Sequence, residues 1–280
     1  MAMEIKITTL AENTANVNFL AEWGLSMLVE VGGATILSDT GAGIAAAHNA
    51  RLFKLDLTKV DKIVISHGHY DHTGGLLEFL TMIGKPVEVV AHPDIFAPKY
   101  GKWGAQPEHY AGIPFKREEL EALGARFNLT AEPVKLAENF YTTGEVPMVT
   151  GYEQIDEGLL DKTTGALLPD ELKDDLASVI DTDFGLVVIL GCAHRGIVNT
   201  LKQAQKVTGK EFIYAAIGGT HLLQASQSRL EKTVADLKAM GVQYLGASHC
   251  TGFKASAYLA KEFGDNFFLN NAGSRWTLPF

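Results

Sequence analysis

Ser66-His67-Gly68-His69-Tyr70-Asp71-His72-Thr73-Gly74-Gly75 places three imidazoles and a carboxylate within six residues. It follows Lys62-Ile63-Val64-Ile65, a short β-branched run that reads as a buried strand, and precedes Leu76, Leu77, Phe79 and Leu80 at helical spacing. The polar stretch therefore occupies the turn between a strand and a helix, where open α/β sheets place their ligands. Neutral imidazole ligates zinc and other first-row metals, and a carboxylate adds charge and suits a harder ion. So many donors in one tight loop exceed what a single ion takes from it, so the loop reads as serving two adjacent metals. Each metal then needs ligands from elsewhere.

The same plan recurs along the chain. Leu176–Ile180 and Leu186–Leu190 read as a hairpin, and the second strand runs into Gly191-Cys192-Ala193-His194. A helix over 196–207 follows. Phe212–Ile217 reads as a strand ending on Gly218-Gly219-Thr220-His221, and Val242–Ala247 as one ending on Ser248-His249. Between them lies a helix over 228–240, with Ser228 and Glu231 spaced as a capping box. His194, His221 and His249 thus become candidates to complete the loop's ligand set, His221 equally as a group that binds substrate. At the start of the chain Glu4–Leu10 alternates, and Ser26–Val31 and Ala34–Ser38 flank Gly32-Gly33 as a hairpin closing on Asp39-Thr40-Gly41.

Other stretches carry weaker signals. The segment from Pro93 to Gly112, with Tyr100, Trp103 and Tyr110, reads as an aromatic loop, either a lid or a substrate wall or simply a loop packed down, and with the charged helix over 116–123 it forms an insertion near 93–124. His92 reads as a structural histidine, while His48 and His109 have no supporting neighbours. Asp39 is expected to orient a metal-bound imidazole. Cys192 and Cys250 read as small buried residues beside the site, and Arg195, at a helix start, either as a group for an anion such as phosphate or carboxylate or as a solvated side chain.

His67-x-His69-x-Asp71-His72 after an apolar strand, with Asp39-Thr40-Gly41 closing an earlier hairpin, resembles the metallo-β-lactamase superfamily of binuclear metal hydrolases. The resemblance runs from the first hairpin to His249. The segments around Cys192-Ala193-His194, Gly218-Gly219-Thr220-His221-Leu222 and Ser248-His249-Cys250-Thr251-Gly252 are similar to the subgroup of dihydropterin-ribofuranosylaminobenzene-phosphate synthases. It implies an α/β fold, a four-layer αββα sandwich in one domain over 1–280. Two divalent ions are implied at its edge, zinc first, with iron or manganese as alternatives. His67 and His69 would hold one ion, Asp71 and His72 the other, and His249 would be a late ligand.

One departure matters. Superfamily members usually have a bridging Asp after the glycine that ends the strand before the helix, whereas Cys192 stands there and His194 two residues on. Either the Cys192 thiolate or His194 takes that place, or the bridge is missing; His194 is read as the ligand.

The chain has 280 residues and a formal net charge of −9, with 46% hydrophobic and 20% charged residues. That composition is globular, and its acidic balance argues against nucleic acid as a partner. No stretch approaches a bilayer span, and Met1–Leu10 lacks a signal-peptide apolar core, so a cytoplasmic protein without membrane attachment is expected. The function that follows is hydrolysis, by metal-activated water, of a small and anionic ester, amide or phosphoester, with Asp71 as ligand and catalytic group. The alternative is the synthase reaction, in which metals activate a diphosphate leaving group. A metal sensor without catalysis is the third reading.

Overall fold

The computed structural model describes residues 4–280. Two seven-stranded sheets lie face to face with helices on their outer surfaces, the αββα arrangement expected. The first sheet contains Ile5–Ala11, Ser26–Val31 and Ala34–Ser38 as an antiparallel meander. It continues in parallel through Lys62–Val64, Val87–Ala91 and Ala125–Leu129, and Arg275–Leu278 adds to its other edge. The second contains Lys135–Ala137, Phe140–Thr142, Ser178–Thr182 and Gly185–Leu190, then the parallel strands Ile213–Gly219, Tyr244–Ser248 and Phe267–Leu269.

Alternation along each strand divides its side chains between two cores. Ile5, Ile7, Met27, Val29 and Ile36 of the first sheet meet Ile180, Val187, Ile189 and Ile217 of the second in the layer between the sheets. Leu186, Val188 and Leu190 point the other way, against Ile197, Val198 and Leu201 of the helix Ile197–Thr208. Leu76, Phe79, Leu80 and Ile83 of the helix Leu76–Ile83 cover the outer face of the first sheet in the same manner. With both faces buried, the central strands read as continuous apolar runs, and the polar residues fall to the strand ends.

The helix over 228–240 is observed as Gln227–Ala239, with Ser226 and not Ser228 as its cap: the Ser226 hydroxyl accepts from the Arg229 amide at 3.2 Å. Leu230, Val234 and Leu237 are buried on one face of this helix, and that phasing sets its first turn one residue earlier. The stretch 93–124 contributes Lys99–Gly101 and His109–Tyr110 to a third sheet of four short strands, completed by Leu159–Asp161 and Leu168–Pro169. Tyr100 packs edge-on against Tyr110 within it. This small sheet sits over the metal-type loop, where the Tyr70 amide donates to Ala111 O at 2.9 Å. No helix among the described residues is long and apolar enough to cross a membrane.

Candidate metal centre

Val64 leads through Ile65 and Ser66 into His67, and the chain then coils into one helical turn, Tyr70–Thr73. Asp39, at the end of the neighbouring strand, fixes this entry. Its Oδ1 accepts from the Ser66 amide at 2.7 Å and its Oδ2 from the Ser66 hydroxyl at 2.8 Å. The same Oδ2 lies 2.7 Å from His72 Nδ1, and Ser66 Oγ lies 2.9 Å from His67 Nδ1. Both rings are thereby turned with Nε2 toward the second sheet. A Cβ at Gly191 would collide with Ser66 Oγ, so only glycine lets the Cys192 strand end come this close.

Gly68, between the first two histidines, donates its amide to Asp174 Oδ2 at 2.8 Å, and Asp174 is in turn paired with Lys99 Nζ at 2.9 Å. Lys99 also meets Asp170 at 2.9 Å and is almost fully buried, which links the small sheet to the histidine loop through charge. The carboxylates outweigh burial and push the Lys99 amine above its ordinary value.

Opposite this loop the second sheet presents its own strand ends. His194 Nε2 lies 3.1 Å from His67 Nε2, and Cys192 Sγ lies 3.1 Å from His72 Nε2. His249 Nε2 lies 3.3 Å from Asp71 Oδ2. The rings of His69 and His194 are 5.0 Å apart, those of His72 and His249 5.1 Å, and those of His194 and His221 4.1 Å. Donor atoms of His67, Cys192 and His194 lie within 4.8 Å of one another, as do those of His72, Cys192 and His249, and those of Cys192, His221 and Cys250. Cys192 Sγ is common to all three groups.

His249 is held from the far end of the chain. Glu12 Oε1 accepts from its amide at 2.6 Å, Asn13 Oδ1 lies 2.9 Å from its Nδ1, and Asn13 Nδ2 donates to its carbonyl at 3.1 Å. Nε2 is thereby left facing the cluster. His249 has φ 54° and His221 φ 47°, left-handed backbone at the second sheet's rim, and Ala193, between Cys192 and His194, has φ 52°.

These donors fit a metal. His69 Nε2, His194 Nδ1 and His221 Nδ1 are buried without a hydrogen-bond partner among the described residues, and His249 Nε2 meets only the Asp71 carboxylate, a costly arrangement unless a ligand completes it. Burial drives the pKa of His67 and His194 well below the ordinary imidazole range and that of His69 to about 3, so these rings are neutral and keep a lone pair for coordination. Burial also opposes charge on His72, but the carboxylates of Asp39 and Asp71 prevail and lift it to about 9. The field that favours a proton at His72 also favours a cation. Asp71 sits below the usual carboxylate range: burial opposes this, and His72 and His249 overcome it.

A cavity of about 290 Å³ opens beside the cluster, lined by Asp71, Cys192, His194, His221 and His249 and walled by Trp23 and Trp103. His109, with no neighbours in the sequence to mark it, lines it too and packs on Trp103 with ring centroids 5.5 Å apart. Trp103 is therefore a wall residue. Arg195 lies elsewhere: its guanidinium pairs with Glu145 at 2.7 Å, its amide donates to Asp175 Oδ2 at 3.0 Å, and it is absent from the cavity lining. His92 accepts from the Asp94 amide at 3.1 Å and caps a short turn.

Residues 24–199 match the family model of the metallo-β-lactamase superfamily. The chain is 36% identical over 282 residues to 7,8-dihydropterin-6-methyl-4-(β-D-ribofuranosyl)-aminobenzene-5'-phosphate synthase of Methanocaldococcus jannaschii, covering 96% of this chain and 95% of that one. An uncharacterised protein of the same organism is 32% identical, covering 95% of this chain and 98% of that one. Among solved structures, Tm1679, a metal-dependent hydrolase of the β-lactamase superfamily, superposes with a TM-score of 0.83 at 28% identity, covering 97% and 98% of the two chains. Fold, histidine loop and full-length similarity agree, and the chain belongs to the metallo-β-lactamase superfamily.

Proposed function

We propose that the chain is a metal-dependent transferase that joins a dihydropterin bearing a diphosphate leaving group to a phosphorylated ribosyl arylamine, the reaction named for its M. jannaschii relative. The observation that supports transfer over simple hydrolysis is room for two reactants. The cavity at the histidine cluster adjoins a second of about 530 Å³, and Trp23, Trp103, His221 and Cys250 line both. Flat aromatic walls suit ring-shaped reactants and exclude the water that would compete with the amine.

His67, His69 and His194 would hold one ion and Asp71, His72 and His249 the other, and Cys192, whose Sγ is close to donors of both groups, would add a thiolate to either. Bound there, divalent ions supply the positive charge that a departing diphosphate needs. In the transfer, the amine lone pair forms the new C–N bond as the C–O bond to diphosphate breaks, and the amine proton must leave. Asp71, a cavity-lining carboxylate held ionised, is placed to accept a hydrogen bond from the amine and orient it, and the proton leaves with the diphosphate. His221, with Nδ1 buried and unpartnered, is set to hydrogen-bond the substrate.

Hydrolysis of a small anionic ester or phosphoester is the second reading, favoured by the likeness to Tm1679. Zinc-loaded protein given the pterin diphosphate with and without the arylamine separates the two. Coupled product by mass spectrometry only when both are present supports transfer. Diphosphate released equally without the amine supports hydrolysis. Neither product, from protein with verified metal, rejects both.

A further inference from the structure

The second cavity contains a cation that the metal centre does not use. Among the described residues lining the two cavities, Arg229 alone carries a permanent positive charge. It sits in the first turn of the helix Gln227–Ala239, and its Nη1 donates to Gln154 O at 3.0 Å. Nε and Nη2 are buried without a partner. These two nitrogens form the side-on edge of the guanidinium, which presents parallel N–H bonds to an oxyanion, so the pinned nitrogen is the one that bidentate binding does not need. A buried donor pair left unmatched is costly; Arg229 lines the second cavity, and a turn of its side chain toward an anion there would complete the pair.

The nearby carboxylates do not fill this role. Glu153 is spent on the amides of Val198 and Asn199, each at 2.9 Å, and on the Thr150 hydroxyl at 3.0 Å. Asp156 Oδ1 accepts from the Gly158 amide at 2.9 Å, and Glu157 is exposed. Asp156 and Glu157 both line the cavity, where carboxylates are acceptors for hydroxyl groups. Hydroxyl acceptors around an unpaired guanidinium match a sugar bearing a phosphate.

We infer that Arg229 binds the phosphate monoester of a sugar-phosphate substrate through Nε and Nη2, holding that end in the second cavity while the reacting end lies at the histidine cluster. The inference rests on the two-reactant reading above for the choice of a sugar phosphate, but its test is a binding measurement that does not depend on turnover.

Zinc-loaded wild type, Arg229→Met and Arg229→Lys are titrated with ribose 5-phosphate and with ribose, by calorimetry and by the fluorescence of Trp23 and Trp103. Ribose 5-phosphate should bind wild type more tightly than ribose does. Arg229→Met should weaken the phosphate ester by about 10- to 100-fold, the range of a hydrogen-bonded charge, and leave ribose unchanged. Arg229→Lys, which keeps the charge and loses the fork, should fall between and serves should the Met variant not fold. Equal affinity of wild type and Arg229→Met for ribose 5-phosphate would place the phosphate at the metals and overturn the assignment. So would wild type that does not distinguish the two sugars. An Arg229-dependent preference in a protein that fails to couple the two reactants would leave the phosphate site standing and remove only the transfer reading.

Discussion

Asp39 Oδ2 stands 2.7 Å from His72 Nδ1 while the same carboxylate receives both the amide and the hydroxyl of Ser66. One side chain thus sets the direction of His72 and, through Ser66 Oγ, of His67. Replacing it with alanine should leave every proposed ligand in the chain yet lower metal affinity by about 10- to 100-fold. Competition against a chelator of known affinity measures this; unchanged retention would show that packing alone orients the rings.

Cys192 is the residue on which the proposed two-metal arrangement depends. Cys192→Ala should reduce the metal bound per chain below wild type, and Cys192→Asp should restore it. Cobalt-loaded wild type should show a sulfur-to-cobalt absorption band that both variants lose. A band absent from wild type, with metal content unchanged in Cys192→Ala, would leave the thiol a mere neighbour.

Lys99, Asp170 and Asp174 form a buried charge triad that also anchors the Gly68 amide. Lys99→Met leaves two carboxylates buried without their cation and should cost about 3–5 kcal/mol. Urea unfolding of the metal-loaded protein gives the number. A loss under about 1 kcal/mol, the scale of an exposed ion pair, would mean that water reaches the carboxylates and the tether is soft.

Asp175 makes a separable contribution to the pH dependence of stability. Burial raises its carboxyl from the ordinary 3.8 to about 7, against the pull of the Arg195 amide that it accepts, and its Oδ1 has no partner. Between these values the folded state holds a proton that the unfolded chain has released, so this group's contribution to stability falls as pH rises through that window and levels off above 7. Asp175→Asn cannot ionise and should gain on wild type steadily up to about pH 7, read as the difference of melting temperatures across pH 4–9. A flat difference would remove Asp175 as the cause.

Chelation should lower the melting temperature of the loaded protein, because ligands gathered from both sheets are assembled only in the folded state. A melting curve indifferent to chelator after verified metal loss would show that the polar cluster supports itself.

The histidine loop was legible because its donors are contiguous and the strand before it is apolar without interruption. His194 and His249 were legible because the same strand-end plan repeats. Glu12 and Asn13, which hold His249, stand more than 230 residues before it, and nothing local marks them. Trp23 and His109 join the cavity only through tertiary packing. The pairing of Lys99–Gly101 with Leu159–Asp161 rests on three-residue strands too short to show a period. The partner of Arg195 is not legible in the sequence, because a place at a helix start says nothing of Glu145, 50 residues earlier, which pairs with its guanidinium.

Arg275–Leu278 pairs with Ile5–Ala11, so the sheet opened by the first described strand is completed by the last. During synthesis the histidine loop emerges with its own half of the molecule, long before Cys192, His194 and His249 leave the ribosome. A nascent chain of that length offers four of the donors on one side only, and a metal captured then would be loosely held and exchangeable. A metal held by donors of both sheets would therefore have to wait until translation has passed residue 249 and the two halves have closed on each other.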